Sequence, residues 1–367
     1  MYSQAEIDDA VASGAITADA AAALRAHVEG QRALPTPDEE QFRLITGFND
    51  IFVSIAAAIL LFAVGWIGEW IGERAGLSID HGPSFLAPAF IAATSWGLAT
   101  FFTAKRRMAL PSILLLLTFV GGVLTTAAAI LVLGVGLEAF DNNAQLGGVI
   151  GAISAAIAAG AAWLHWRRFR VPITVAAGAA SVAGIAVALL IAALGDNAEN
   201  AKNLILGFVL LLGIGTFLFA MWWDSSDRAR LTRRADVAFW LHLLAAPMIV
   251  HPVFSLLGLN SGRATIGEGL VVILLYVVIG LTALAIDRRA LLVSALAYVL
   301  YALNQLFQQF GAVELNVALT ALVIGSALLM LSAFWHQARA VVVRPLPPGL
   351  RERLPLIDRA ATPQPAA

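Results

Sequence analysis

Pairs of arginine that separate long uncharged stretches constrain this chain more than any other feature. These cationic segments begin at Arg106, Arg167, Arg233 and Arg288, and each interval between them holds two uncharged blocks. A helical run of about 20 apolar residues crosses a hydrocarbon core of about 30 Å, and every one of these blocks is close to that length. The pattern therefore predicts a series of membrane-spanning helical hairpins that turn on arginine.

The composition agrees with a membrane protein. The chain is 60% hydrophobic and 13% charged, with a mean hydropathy of +0.83, whereas a soluble domain carries about 25% charged residues. The absence of cysteine excludes disulfides, thiolate metal sites and cysteine nucleophiles. The first apolar block begins near Ile51 and the preceding residues are acidic, so we expect no cleavable signal peptide.

We predict an all-α polytopic bundle of about ten spans. The predicted spans are 51–71, 85–103, 109–137, 146–165, 171–194, 204–223, 237–257, 269–286, 290–310 and 316–335. Residues 1–36 are predicted to form a small cytoplasmic helical hairpin and linker, and residues 37–336 the ten-span domain. Residues 337–367 are rich in proline and lack an apolar period, so we expect a disordered cytoplasmic tail.

The distribution of basic residues fixes the orientation of these spans. With an even number of spans both termini lie on one side, and that side then receives 20 of the 23 lysines and arginines. Only Arg74, Lys202 and Arg263 fall on the other side. Because basic loops stay in the cytoplasm, we predict a multi-pass protein of the bacterial inner membrane with cytoplasmic N and C termini.

The recurrence of the arginine pairs allows three architectures. Four hairpins of about 60 residues could stack side by side, with the first and last spans as covers. Alternatively, spans one to five and six to ten could form two halves of opposite orientation. The third interpretation is that no true repeat exists, because any multi-pass protein places arginines in its cytoplasmic turns.

The N-terminal residues form the second predicted unit. Ser3 and Glu6 match a capping box, Gly14 is placed to end the first helix, and Thr17 is placed to cap a second one. Such a hairpin is too small for an enzyme domain. It is a candidate binding site for a protein partner.

Polar residues inside spans are the main functional candidates, because a charge at the bilayer centre is costly. Asp50 and Glu69 lie near opposite ends of the first span, where each is either an interfacial carboxylate or a proton or cation ligand. The seventh span holds His242 and His251, and prolines at 247 and 252 leave backbone carbonyls without donors. A proton relay and a simple hydrogen-bonded histidine are both open for these residues.

The ninth span carries a polar stripe. Asn304 and Gln308 share one helical face, and Tyr301 and Gln305 share a neighbouring one. We hypothesise a substrate cavity on spans seven and nine. Its candidate lining residues are His251, Asn304, Gln305, Gln308, Glu69 and Tyr301. The alternative is hydrogen bonding between helices, worth about 1 kcal/mol or less for each bond.

No nucleotide-binding, metalloprotease or hydrolase motif occurs in the sequence, so we expect no cofactor, no metal site and no catalytic residues. The cytoplasmic arginines are explained by topology, and no nucleic-acid partner is expected. The first functional hypothesis is a carrier of a small polar or amphiphilic solute. The alternative is a non-transporting membrane scaffold or sensor whose N-terminal hairpin binds a partner, and the third is an enzyme acting on lipid-linked substrates.

One family resemblance follows from the N-terminal pattern. The spacing of Ile7, Val11, Gly14, Ile16 and Thr17, followed by an acidic linker and a run of spans, resembles bacterial membrane proteins with the domain of unknown function 2157. This resemblance covers about the first 70 residues and implies an inner-membrane location without an established activity. Ten spans with both ends inside are also similar to the drug/metabolite transporter superfamily, from which the 47-residue start departs.

Overall fold

The computed structural model describes most of the chain. The described residues are 4–24, 48–78, 83–228, 230, 232–258, 266–289, 291, 292, 296, 300 and 316–355. The chain divides into two units, of which one holds residues 1–43 and 358–367 and the other holds residues 44–357. The described residues are helical and contain no strand, so the all-α class predicted from the sequence is confirmed for them.

In the first unit the described residues 4–24 contain two short helices. Helix α1 is Gln4–Ala12, and residues 18–24 form the second helix. Gly14 adopts φ +76° between them, a conformation that only glycine adopts readily. The hydroxyl of Thr17 accepts the N–H of Ala20 at 3.1 Å, which is the helix cap predicted from the sequence.

Within its described residues, the second unit is a bundle of helices. Its helices are α2 (Phe48–Arg74), α3 (Leu86–Phe102), α4 (Ala109–Val135), α5 (Leu137–Asp141), α6 (Ala144–Phe169), α7 (Ile173–Leu194), α8 (Lys202–Ser225), α9 (Arg233–Leu256), α10 (Ile266–Ile286), α11 (Asn316–Ala333), α12 (Trp335–Val343) and α13 (Pro348–Arg351). Nine of the ten predicted spans coincide with one of these helices. The ninth, 290–310, lies almost entirely outside the described residues.

Six of the described helices are long and apolar enough to cross a membrane, namely α2, α4, α6, α7, α8 and α9. Residues 321–333 of α11 together with α12 make a seventh if this pair, bent by 76°, counts as one span. Helices α3 and 270–286 of α10 are apolar but shorter. These six to seven apolar helices of the described residues indicate a membrane-embedded protein, and the count of ten spans stays a prediction.

The faces of α2 show what surrounds the bundle. Its exposed face carries large apolar side chains, including Phe48 at 81%, Phe62 at 70% and Trp66 at 67% exposure. Its buried face carries small residues, among them Gly65 and Gly68. A helix in water does the reverse, whereas membrane helices use small residues for mutual packing and large apolar residues against lipid.

The turns alternate between two conformational types along the chain. Among the described residues, each turn that contains an arginine pair has a non-glycine residue in the left-handed region, and these are Arg107, Arg170, Arg230 and Asp287, with φ between 54° and 57°. The turns at the opposite end each contain a glycine of positive φ, at positions 76, 136, 195 and 258. Both series recur about every 60 residues, which favours four stacked hairpins over two inverted halves.

The most extensive helix contacts lie within hairpins that turn on arginine, and the α6–α7 pair is the closest. A Cβ added to Gly148 would lie 2.4 Å from the backbone nitrogen of Ala192, so the two backbones touch there. At Gly147 the nearest atom would be a side-chain carbon of Phe140 at 3.6 Å. Close approach of small residues therefore sets the spacing of this hairpin.

Residues 335–355, where the predicted tail begins, contain two short helices. Helix α12 and the turn that follows it pack onto α10, and Trp335, Val343 and Leu354 are buried in one cluster with Ala283 and Ile286. The apolar positions 335, 343 and 354 provide this anchor, and the prolines between them end helices without preventing docking. Residues 356–367 lie outside the described part.

Candidate functional site

The most unusual feature of the bundle is a carboxylate buried at the arginine end of α8. Asp224 follows two tryptophans in the last turn of this apolar helix and is 1% exposed. Its Oδ1 accepts Nη2 of Arg288 at 2.7 Å, and Nε of the same arginine lies 3.4 Å from Oδ2. Arg288 is 3% exposed and also donates to the carbonyl oxygen of Ala235 on α9 at 3.0 Å. One ion pair thus joins α8, α9 and the residues that follow α10.

A second arginine extends this pair. Arg230, the left-handed residue of the α8–α9 turn, places Nη2 3.5 Å from Oδ2 of Asp224. Its Nη1 donates to the side chain of Asp287 at 3.0 Å and to the backbone oxygen of that residue at 3.1 Å. Nη2 also donates to the carbonyl of Ile286 at 2.8 Å. The guanidinium therefore caps the end of α10 and couples it to the neighbouring hairpin.

His242, a candidate from the sequence, lies against the same carboxylate. Its Nε2 is 3.8 Å from Oδ2 of Asp224, which is longer than a hydrogen bond. The ring is fully buried and contacts Phe217 edge to face at 5.1 Å. Neither ring nitrogen has a hydrogen-bond partner within the described part of the chain. The structure thus places a titratable imidazole beside the ion pair, and no hydrogen bond within the described residues determines which ring nitrogen carries the proton.

The C-terminal segment closes the site. Trp335 Nε1 donates to Oδ1 of Asp287 at 2.8 Å, and Nε of Arg339 lies 3.8 Å from the same oxygen. Arg339 Nη2 donates to the carbonyl of Pro355 at 2.7 Å. We call the connected set the Asp224 network. Its members are Asp224, Arg230, His242, Asp287, Arg288, Trp335 and Arg339.

Chemically, the Asp224 network is a set of exchangeable ionic contacts. Removing charges from water is expensive, so these charged groups stay buried only while their partners remain in place. If the helix ends separate, water replaces the lost contacts. Forming or breaking these contacts can therefore stabilise one of two arrangements of the helices relative to the other, and no covalent bond has to change.

The predicted outward cavity stays a prediction. His251 is exposed on α9, while its neighbour Pro252 is buried. Tyr301, Asn304, Gln305 and Gln308 lie outside the described residues, so the structure does not show whether they meet His251.

The two carboxylates of the first span lie in different places. Glu69 is half-buried, and both its oxygens accept the N–H of Ser84 at 2.9 Å, so it anchors the loop before α3. Asp50 is 3% exposed in the first turn of α2, and its backbone oxygen accepts the hydroxyl of Ser54.

Most members of the network were missed by sequence reasoning. A usable signal was present, because Asp224, Asp227 and Asp287 lie among the arginines of the third and fourth turns. The segments 105–107 and 167–170 contain no acid. A count of lysines and arginines alone overlooks these carboxylates. An acidic residue within an arginine-rich turn indicates an ion pair.

A second buried polar group lies near the first two arginine turns. His165 Nδ1 lies 3.2 Å from the hydroxyl oxygen of Thr174 across the α6–α7 hairpin. Rings of Trp96, Phe119 and Phe169 surround it, with centroids 4.6 to 6.2 Å from the imidazole. Among the described residues, no group of three or more histidine, aspartate or glutamate side chains is arranged to hold a metal ion.

No protein-family model, curated protein or solved structure matches this chain. The resemblance of its N-terminal pattern to proteins with the domain of unknown function 2157 therefore stays a prediction.

Proposed function

We propose that this protein is a membrane carrier of a small polar or amphiphilic solute, and that the Asp224 network is the latch that closes its arginine end. The observation that supports this proposal is the buried ion pair of Asp224 with Arg288, in which a carboxylate and a guanidinium at most 4% exposed join separate helix hairpins. Both side chains lie just beyond the ends of the predicted spans, and burying an ion pair there is costly, so we attribute its retention to function.

The arrangement suits alternating access. The α8–α9 hairpin and α10 are joined at the arginine end by ionic contacts made by Asp224 and Asp287. Releasing these contacts frees one hairpin to move relative to its neighbour, as rigid units do in carriers. The closed state then depends on a few ionic contacts, which water can replace when the helices separate.

The remaining parts of the proposal come from the sequence. We place ten spans in a bacterial inner membrane, with both termini cytoplasmic and the latch on the cytoplasmic side. The solute path on the other side is lined by His251, Asn304, Gln305 and Gln308.

The alternative function is a scaffold or sensor. It is favoured by one observation, which is that residues 1–43 fall in a unit separate from the spans. Most of the described residues of this unit are exposed, with Ala21 as a buried contact. In this alternative the N-terminal hairpin binds a protein partner and the spans only anchor it.

Thiol labelling tests the latch, because the chain has no cysteine. Ala235→Cys lies under Arg288 at 6% exposure, and the adjacent Arg234→Cys is exposed and serves as the control. Adding Asp224→Asn opens the latch and should raise the labelling rate at position 235 by about tenfold or more, with no change at position 234. An unchanged rate at position 235 in folded protein contradicts the latch.

Solute escape tests the carrier. Proteoliposomes are loaded with a mixture of small polar and amphiphilic solutes, and the retained contents are measured by mass spectrometry. A carrier releases at least one solute faster than protein-free liposomes do, both with and without residues 1–36. Retention of every solute by folded protein contradicts the carrier and favours the scaffold.

A further inference from the structure

The first two arginine turns differ from the third and fourth because they have no acidic partner. No aspartate or glutamate occurs in residues 81–137 or 142–195, which contain the α3–α4 and α6–α7 hairpins. The turns of these hairpins carry six basic side chains, all exposed, and none of them makes an ion pair with another described residue. We call this set the six-cation surface. Its members are Lys105, Arg106, Arg107, Arg167, Arg168 and Arg170.

The third and fourth turns use their arginines within the protein. Arg230 and Arg288 pair with Asp224, and Nε of Arg228 donates to the carbonyl oxygen of Leu354 at 3.0 Å. The retention of basic loops on one side of the membrane explains why arginines occur at this end of the bundle. It does not explain why two turns contain counterions and two do not. The six-cation surface is thus open to an anion from outside the chain.

The two acid-free turns lie side by side. Phe169, the last residue of α6, places its ring 5.1 Å from the ring of Trp96 on α3. It packs together with Phe102 against one buried cluster. Phe102 is the last residue of α3, and Lys105 follows it by three positions. The cations of both turns therefore belong to one surface at the ends of adjacent hairpins.

Exposed aromatic rings show the depth at which these cations lie. Trp163 is 59% exposed on α6, and the guanidinium carbon of Arg167 lies 5.0 Å from the centroid of its ring. On α3, Phe101 is 42% exposed, with the guanidinium carbon of Arg106 at 5.5 Å and Nζ of Lys105 at 6.0 Å from its ring centroid. Tryptophan is enriched where the hydrocarbon core meets the headgroups, and long basic side chains there extend toward the headgroups. The six-cation surface therefore lies level with lipid phosphates.

The chemistry of these side chains defines the lipid that they fit. Guanidinium groups bind phosphate by paired, charge-assisted hydrogen bonds. Phosphatidylcholine carries its own cation next to the phosphate, whereas phosphatidylglycerol has a net negative charge. Clusters of about four to eight basic residues directly beside a membrane span are typical of anionic-lipid binding. Six cations without counterions on one surface match this pattern.

We propose that the six-cation surface is a binding site for anionic phospholipids. Lipid phosphates neutralise the first two arginine turns there, as Asp224 and Asp287 neutralise the third and fourth. This inference goes beyond the carrier function, because it applies equally to a carrier and to a scaffold. It is also independent of the Asp224 network.

Electron paramagnetic resonance of protein in phosphatidylcholine vesicles tests the site. The measured quantity is the association of spin-labelled phosphatidylglycerol with the protein, relative to that of spin-labelled phosphatidylcholine. Wild type should prefer phosphatidylglycerol by about threefold or more, because each basic side chain near the headgroups attracts anionic lipid. A four-site variant should reduce this preference to less than about 1.5-fold. Its substitutions are Lys105→Gln, Arg106→Gln, Arg167→Gln and Arg168→Gln.

A second four-site variant is the matched control. It removes the same number of exposed cations from the other turns and the C-terminal segment, and should keep the preference of wild type. Its substitutions are Arg233→Gln, Arg234→Gln, Arg344→Gln and Arg353→Gln.

A local measurement keeps all six cations and therefore does not depend on the folding of the charge variants. Ala104→Cys in the first turn and Ser226→Cys in the third turn are exposed, and each gives a single thiol for a bimane label. Spin-labelled phosphatidylglycerol should quench the label at position 104 about twofold more than spin-labelled phosphatidylcholine does. At position 226 the two lipids should quench equally.

Three results overturn the proposal. The first is the absence of a preference for phosphatidylglycerol in wild type. The second is an equal loss of preference in the two four-site variants, which would attribute lipid selectivity to the net charge of the whole arginine end. The third is equal quenching of position 104 by the two lipids.

Discussion

At the scale of single residues, Asp224 carries the strongest expectation for stability. Asp224→Ala leaves the guanidinium groups of Arg288 and Arg230 without their shared carboxylate in a buried site. Removing one partner of a buried ion pair destabilises proteins by about 3–5 kcal/mol. We expect a loss of this size, measured by unfolding in mixed detergent micelles.

Asp141→Ala is the matched control, because Asp141 is exposed at the opposite end of the bundle. It should change the free energy of unfolding by less than about 0.5 kcal/mol. The double variant Asp224→Leu with Arg288→Met should recover part of the loss, since apolar replacement of a whole buried pair is often tolerated. Equal stability of Asp224→Ala and wild type would show that the pair is not coupled to folding.

The sequence could predict few members of this network. His242 was among the candidates because a histidine inside a span is unusual. Asp224 and Arg288 are 64 positions apart, and Arg230 and Asp287 are 57 apart, so no local spacing connects them. Their pairing depends on how hairpins pack, which hydropathy and charge counts do not contain.

At the scale of helices, close backbone contact between α8 and α9 leads to the next expectation. A Cβ added to Gly213 would lie 2.8 Å from the carbonyl carbon and oxygen of Met248. Pro252 cannot donate to that carbonyl, so the oxygen is free to face the glycine. Gly213→Ala must move one helix, and we expect a loss of about 1–3 kcal/mol in the free energy of unfolding.

Gly215→Ala, on the same helix, is the control that distinguishes an effect of packing from an effect of helix propensity. An added Cβ there meets no atom within 4 Å, so Gly215→Ala should be neutral or slightly stabilising in the same unfolding assay. Similar losses in both variants would mean that α8 and α9 are not held at this distance.

Small residues in the sequence predict where helices pack closely, but not which of them touch. The GxxxG pattern of Gly147 and Gly151 predicts close packing on α6, while the close backbone contact is made by Gly148. In the seventh span, the prolines at 247 and 252 predict a kink or a wet pocket, and α9 contains both of them within one helix from Arg233 to Leu256. Rotation of a helix about its axis is set by its neighbours, so periodicity alone cannot fix it.

At the scale of the whole molecule, the sequence predicted the helices well and their docking poorly. Nine of the ten spans predicted from hydropathy coincide with helices. The prediction works because the thickness of the bilayer sets the number of apolar residues that a spanning helix needs. The docking of residues 335–354 was not predicted, since three apolar residues spread over this range make no period that hydropathy can detect. The repeated left-handed turns at Arg107 and Arg170 were likewise invisible, because arginine has no preference for that conformation.

The orientation of the bundle gives the last prediction. Single cysteines at Arg168 and Arg234 lie in different arginine turns, and Asp141 and Glu199 lie near glycine turns, all at exposed positions. If an even number of spans sorts the basic residues as predicted, Arg168→Cys and Arg234→Cys should react with an impermeant maleimide only after intact cells are opened. Asp141→Cys and Glu199→Cys should react in intact cells. Labelling of positions 168 and 234 from opposite sides would leave an odd number of crossings between them, which would contradict both the predicted span count and the cytoplasmic position of the latch.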